Sequence, residues 1–148
     1  MRKFEVVSAF KQDTPKIPVR KTKESAGYDL EALGSYKLGP GAVVVISTGL
    51  KACMNPGEVL KLYIRSSIAI KRKLLLVNSV GIIDADYYNN PDNEGHIMIA
   101  LYNPTSESVE VKNRERVAQA IFEKYLTVDD EEEVKAERKG GIGSTGKK

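Results

Sequence analysis

Short runs of β-favouring residues alternate with turn signals along most of this 148-residue chain, at intervals of about ten residues. Gly39-Pro40-Gly41 and Asn55-Pro56-Gly57 mark two of the turns, and the stretch from Ala42 to Met54 between them is rich in Val and Ile. Glu58 to Ile64 then alternates apolar and polar side chains. Many short strands separated by Gly and Pro turns predict an all-β sandwich or barrel.

The remaining elements follow from the same reasoning. Hydrophobic alternation and β-branched content predict further strands, and a single short stretch favours a helix, at Ile68 to Lys73. The further strands are expected at Phe4–Phe10, Tyr36–Leu38, Leu74–Val80, His96–Asn103, Val109–Lys112 and Arg116–Leu126.

The character of the chain changes after residue 128. An acidic run from Asp129 to Glu133 precedes a glycine-rich end, Gly140 to Lys148, that can contribute little core. The sequence therefore predicts one β domain over residues 1–128 and a flexible C-terminal arm over residues 129–148. A length of 148 residues with 41% apolar and 29% charged residues fits one soluble globular unit.

Composition also limits the classes of function. The longest apolar runs are too short to cross a bilayer, and the N-terminus shows no targeting signal. A single cysteine, Cys53, fits a reducing compartment, so a cytoplasmic location is expected. A net charge of +3 is too small and scattered to predict nucleic-acid binding.

The stretch from Val77 to Tyr87 carries the first sign of a ligand site. A strand ends at Asn78, the chain turns at Gly81, and two carboxylates, Asp84 and Asp86, follow. Alone this pattern is that of an ordinary hairpin turn. Of the two acids, Asp86 is expected to be structural.

Two other segments favour phosphate binding. Arg65-Ser66-Ser67 at a strand end offers one guanidinium fork and two hydroxyls, and Gln119 interrupts an apolar strand. Gly141 to Lys147 has the spacing of a Walker A loop, but position 148 is Lys where Ser or Thr is needed, and no helix follows. A nucleotide-driven ATPase or GTPase is therefore not expected.

Five segments in this order resemble the motifs of the trimeric dUTP diphosphatases (dUTPases). No single motif is conclusive, whereas five in order across nearly the whole chain are highly specific. They are Ala-Gly-Tyr-Asp-Leu at 26–30, Arg-Ser-Ser at 65–67 (the family usually has Arg-Ser-Gly), Gly-Ile-Ile-Asp-Ala-Asp-Tyr at 81–87, Arg-Val-Ala-Gln at 116–119 and Gly-Gly-Ile-Gly-Ser-Thr-Gly at 140–146.

The resemblance implies a jelly-roll-like β-barrel or sandwich that forms a homotrimer, with the arm closing over a neighbouring subunit's site. It implies hydrolysis of dUTP to dUMP and pyrophosphate with Mg²⁺, held mainly by the substrate phosphates, and Asp84 as the general base. Asp29 becomes a water-mediated metal contact or a partner of the Arg65 loop. The implied substrate-binding residues are Arg65, Ser66, Ser67, Asn78, Gly81, Ile82, Ile83, Tyr87, Met98, Gln119, Arg138, Ile142, Gly143 and Ser144.

Three departures from the family pattern accompany this assignment. Ile142 stands where a Phe usually stacks on uracil, and Arg138 precedes the paired glycines by two residues instead of three. Asn89 to Glu94 adds about six residues to the usual hairpin and is expected to be a surface loop, with partner binding as the minority interpretation.

Two alternative functions remain open. A dCTP deaminase of the same superfamily needs a catalytic Glu on the strand after the hairpin, and Ala100 occupies the corresponding position. A dUTP-sensing regulatory protein could use the same fold without turnover.

Overall fold

The computed structural model describes residues 1–141, which fold into short strands and one α-helix. The helix is α1 (Ser66–Arg72), and two short 3-10 helices span Ser8–Asp13 and Ala85–Tyr87. The strands are β1 (Lys3–Val6), β2 (Tyr28–Glu31), β3 (Tyr36–Leu38), β4 (Val43–Ser47), β5 (Leu50–Cys53), β6 (Glu58–Ile64), β7 (Leu75–Leu76), β8 (Gly81–Asp84), β9 (Met98–Tyr102), β10 (Val109–Val111) and β11 (Arg116–Lys124).

The largest sheet is antiparallel and has the order β2-β11-β6-β8. Its central strand β11 pairs with β6 from Ala118 to Lys124 and with β2 from Arg116 to Ala120. A three-stranded sheet, β4-β9-β7, and two strand pairs, β1-β5 and β10-β3, complete the fold. The predicted all-β sandwich class is confirmed.

Alternation along the strands separates the core from the surface. On β9, Ile99 and Leu101 are fully buried, while Met98, Ala100 and Tyr102 between them are half-buried. Successive side chains of a strand point to opposite faces, so β9 has one face in the core and one face available to a pocket. The same strand thus contributes to both stability and a binding surface.

Two predicted strands are wrong in extent. The strand expected at Phe4–Phe10 ends at Val6, because Phe10 N–H bonds back to the Val7 carbonyl at 2.9 Å and starts a 3-10 turn. The strand expected at Leu74–Val80 is limited to Leu75–Leu76, since Ser79 has a left-handed φ of 63°. β6 has the predicted bounds, and α1 begins two residues before the predicted helix.

The chain changes character near its end, as the acidic run predicts. Residues 124–137 are all exposed, and burial resumes at Arg138 and Gly140. The division at residue 128 stays a prediction. Among the described residues, no helix is long and apolar enough to span a membrane.

Candidate functional site

A pocket of about 240 Å³ opens between the β8 segment and β9. It contains predicted substrate-binding residues of the hairpin and β9, namely Asn78, Gly81, Ile82, Ile83 and Met98, together with Asp84 and Tyr87. Their roles stay predictions, but the chain does bring them around one cavity. The other lining residues are Val45, Leu62, Leu76, Ile99, Ala100, Arg138 and Gly141.

Gly81 permits the close approach of β8 to β6 at the floor of this pocket. Gly81 pairs with Leu62, and a Cβ at Gly81 would stand 3.0 Å from the Leu62 Cβ atom. A Cβ at this position would make a contact tighter than is usual, so Leu62 or the strand spacing would have to adjust. The glycine that the sequence marks as a turn is therefore needed for strand packing.

Asp84 stands at the mouth of the pocket. It is the last residue of β8, and its side chain is 50% exposed. Arg138 Nη2 donates to Asp84 Oδ2 at 2.6 Å, and Arg138 Nε donates to Asp86 Oδ1 at 2.7 Å. One guanidinium, itself 13% exposed, thus bridges both acids of the hairpin. The predicted site residue Arg138 reaches this pocket within its own chain, and closure over a neighbour stays a prediction.

Tyr87 is held at the side of the pocket with its ring buried. Its hydroxyl donates to the His96 carbonyl at 2.6 Å and accepts from Asn93 Nδ2 at 2.8 Å. Burial raises the pKa of the Tyr87 hydroxyl, with the Asn93 hydrogen bond acting in the opposite direction. The hydroxyl is therefore protonated at neutral pH, and its one proton is donated to the His96 carbonyl.

The Asn89–Glu94 segment is more than the expected surface loop. Asn90 is 5% exposed, and Lys51 Nζ ties the segment to β5 through Asn89 Oδ1 at 2.6 Å and Glu94 Oε2 at 2.7 Å. Polar composition suggested exposure, but asparagine amides satisfy their groups within the loop and so tolerate burial. The loop does not line the pocket itself, but it holds Tyr87, which does, through hydrogen bonds from Asn90 and Asn93.

A second cluster lies around Asp29 on the β2-β11-β6 part of the large sheet. Asp29 Oδ1 is 3.7 Å from Arg65 Nε, and Asp29 Oδ2 is 3.3 Å from Arg116 Nη1. Asp29 thus contacts the Arg65 loop, and its role at the site stays a prediction. Sequence reasoning did not select Arg116, although it begins the fourth motif.

Gln119 on β11 is paired with Asp29 on the neighbouring strand β2. A Cβ at Gly27 would lie 2.5 Å from Gln119 Oε1, so Gly27 makes room for the amide. Ser66 and Ser67 form the first turn of α1, and Ser67 lines a surface groove with Arg65 and Arg116. The predicted phosphate-binding residues are therefore close together.

The two groups of site residues are far apart within one chain. Asp84 pairs with Val59 on β6, and Arg65 follows six residues after Val59. At about 3.3 Å per residue the separation along the strand is roughly 20 Å. Ile142, Gly143 and Ser144, also predicted as site residues, lie outside the described residues.

These features define an all-β protein with a small-ligand pocket and a half-exposed carboxylate at its mouth. The comparisons with known proteins agree. The family model for dUTPase matches residues 13–146. The chain therefore belongs to the dUTPase family, and the resemblance seen in the sequence is confirmed.

Individual relatives are similar over nearly the whole chain. The deoxyuridine 5'-triphosphate nucleotidohydrolase of Lactococcus lactis subsp. lactis is 52% identical over 147 residues, covering 99% of this chain and 98% of the relative. A dUTPase crystal structure from Streptococcus mutans has a TM-score of 0.81 and 44% identity, covering 86% of this chain and 98% of that one. A mutant dUTPase from phage phi11 of S. aureus, 19% identical with a TM-score of 0.73, shares the fold over 91% of this chain and 97% of its own.

Proposed function

We propose that this protein hydrolyses dUTP to dUMP and pyrophosphate by attack of water on the α-phosphorus. The observation that carries the proposal is the half-exposed Asp84 carboxylate at the mouth of a pocket lined by Asn78 and Met98. The Lactococcus lactis relative at 52% identity is a deoxyuridine 5'-triphosphate nucleotidohydrolase, which supports the same substrate. Removal of dUTP keeps uracil out of DNA, and the dUMP product supplies thymidylate synthesis.

The pocket binds the uracil through groups around Asn78, Ile82 and Met98. A site with fixed donors and acceptors rejects cytosine, because the exchanged edge of that base leaves buried groups unpaired. The narrow space between β8 and β9 rejects the extra methyl of thymine. The Tyr87 ring lies against the deoxyribose and leaves no room for a 2'-hydroxyl.

Asp84 is the general base in this proposal. An ionised carboxylate can accept a proton from the attacking water, which is the role of a general base. Its exposure gives water access, and Arg138 on its Oδ2 fixes the orientation of the carboxylate. The deaminase alternative is not supported, because Ala100 lines the pocket where an acid–base side chain is needed.

Arg65, Ser66, Ser67 and Gln119 bind the phosphates. Asp29 holds the Arg65 guanidinium, whose planar fork suits phosphate oxygens. Arg138, Ile142, Gly143 and Ser144 complete the phosphate and lid contacts when the arm closes. Fixed positive charge near the triphosphate supplies electrostatic stabilisation, the larger catalytic effect, to which base catalysis adds.

Mg²⁺ is the proposed cofactor, and the substrate supplies most of its ligands. The described residues contain no group of three or more His, Cys, Asp or Glu side chains that could hold a metal ion. Asp29 is paired with two arginines, and any contribution that it made to a bound Mg²⁺ would be through water. When bound, the ion neutralises phosphate charge while keeping part of its hydration shell.

The proposed active unit is a homotrimer. Asp84 and Arg65 are roughly 20 Å apart along the strand, whereas a base and a phosphate ligand must act on one small substrate. Copies arranged around an axis place Asp84 of one subunit beside Arg65 of the next. The proposed compartment is the cytoplasm, since the lone Cys53 is compatible with reducing conditions.

A nucleotide panel tests the activity. Purified protein with Mg²⁺ is expected to release pyrophosphate from dUTP and to spare dCTP, dTTP and UTP. Pyrophosphate is measured directly, and dUMP is identified as the second product. Absence of release from dUTP, or equal release from all four, would contradict the proposal.

A further inference from the structure

Tyr87 is anchored at its hydroxyl by a residue of the Asn89–Glu94 loop. Asn93 Nδ2 donates to the Tyr87 hydroxyl at 2.8 Å, and the hydroxyl donates in turn to the His96 carbonyl at 2.6 Å. A tyrosine ring with two partners on its oxygen is restrained in both tilt and depth. Asn93 belongs to residues that lengthen the usual hairpin, so no family motif identifies it.

The loop fixes the direction in which the Asn93 amide points. Asn93 Oδ1 accepts from Asn90 Nδ2 at 2.8 Å and from Gly95 N–H at 3.0 Å. With two donors on the oxygen, the NH₂ group is the part that faces Tyr87. The hydroxyl must therefore accept from Asn93 and give its proton to His96. The donor and acceptor roles of the Tyr87 hydroxyl are therefore fixed by the hydrogen bonds within the loop.

Asn90 is buried and holds the loop in this arrangement through further hydrogen bonds. Its Nδ2 also donates to the Tyr87 carbonyl at 2.7 Å, and its Oδ1 accepts from the backbone N–H of Asp92 and of Asn93, each at 3.0 Å. The loop is thus attached to both the backbone and the hydroxyl of Tyr87. Such a satisfied polar network specifies one side-chain position.

The arm packs on the same pair of side chains. A Cβ at Gly141 would stand 3.1 Å from Tyr87 Cε1 and 3.7 Å from Asn93 Nδ2. Gly141 therefore lies directly against the ring and near its anchor. If the Tyr87 ring moves, the face that contacts the deoxyribose and the face that the arm covers both move with it.

We propose that Asn93 is a positioning residue that determines the preference for deoxyribose over ribose. The proposal rests on the function proposed above, in which Tyr87 lies against the sugar. Asn93 keeps the ring where a 2'-hydroxyl would collide with it. Without the Asn93 hydrogen bond the ring pivots about its remaining contact with His96 and admits the ribose.

The test compares wild type, Asn93→Ala, Tyr87→Phe and the double variant. Two ratios are measured for each: kcat/KM for dUTP over UTP, and the Kd of UMP over that of dUMP by calorimetry. Losing one neutral hydrogen bond is expected to lower both ratios roughly fivefold in Asn93→Ala. Tyr87→Phe is expected to lower them at least as much.

The double variant distinguishes positioning from general loosening of the loop. If Asn93 acts through the Tyr87 hydroxyl, Asn93→Ala has no further effect on either ratio in the Tyr87→Phe background. An equal loss in both backgrounds, or an unchanged ratio in Asn93→Ala, overturns the proposal. If both ratios in Tyr87→Phe equal those of the wild type, the proposal is also overturned. This outcome can be read even if Asn93→Ala does not fold.

Glu94→Gln is the matched control. It weakens the outer attachment of the loop to Lys51 and Ser8 but removes no partner of Tyr87. Its stability is expected to fall while both ratios stay at the wild-type value, and a fall of both ratios in Glu94→Gln would overturn the proposal. A wild type that binds dUMP over UMP without hydrolysing dUTP would contradict the proposed function alone, because the binding ratios still test Asn93.

Discussion

The pocket around Asp84 and the cluster around Asp29 are built on different principles. The pocket is formed mainly by the β8 segment and β9 together with Arg138 and Gly141 of the same chain, and Arg138 bridges two acids. In the Asp29 cluster, where Arg65 is roughly 20 Å from Asp84 along β6, one carboxylate is shared by two arginines. In the proposed function the first region binds the base and the second binds the phosphates. This difference is the reason for proposing a trimer, in which the pocket of one copy would meet the Asp29 cluster of another.

The largest expected effect comes from Asp84→Asn. Removing the general base is expected to lower kcat about 10²–10⁴-fold while dUMP binding is kept, because the amide has nearly the same shape. Asp86→Asn is the matched control, since Asp86 shares the same arginine. We expect the kcat of Asp86→Asn to fall less than about tenfold. Undiminished turnover by Asp84→Asn would rule out the mechanism.

Mixing two inactive variants tests whether the regions act across subunits. Asp84→Asn and Arg65→Ala are unfolded together, refolded and assayed for dUTP hydrolysis. Random assortment rebuilds an intact site wherever both native residues meet, so about a quarter of wild-type activity is expected. Refolding each variant alone is the control. If the mixture stays inactive, both residues act within one chain.

The smallest expected effect concerns the anchor of the pocket loop. Lys51 and Ser8 bind Glu94, and the hydrogen bond from Lys51 is the main cause that lowers the pKa of this carboxyl to about 2. Because the folded pKa lies below the ordinary value of 4.5, the stabilisation is present above about pH 4.5 and is lost as pH falls toward 2. Glu94→Gln is expected to cost about 1 kcal/mol of unfolding free energy at pH 7.

Denaturant midpoints at pH 7 and pH 3 check this expectation. The difference in denaturant midpoint between wild type and Glu94→Gln should be smaller at pH 3 than at pH 7. Glu24→Gln, at an exposed position, is the control and should show little gap at either pH. A constant gap would mean that Glu94 contributes through packing instead of charge.

Much of the fold could be predicted because the β pattern is local. Turn signals and alternation gave the bounds of β6, and the five motifs led to the residues that line the pocket. The errors occurred where the backbone turns within a segment whose side chains still have a strand-like pattern. The first strand ends early because Phe10 N–H bonds to the Val7 carbonyl and starts a 3-10 turn. Hydrophobic alternation does not show where such a turn begins.

The sequence by itself determined the all-β class, the family and the chemistry available to the site, because these depend on residue types in order. Only the tertiary structure decided that Arg138 reaches Asp84 and Asp86, that Asn93 anchors Tyr87, and that Asp29 joins two arginines. These contacts depend on side-chain direction and on distances between residues remote in sequence. A hydrogen bond is directional and short-ranged, so packing alone selects among the partners that composition allows.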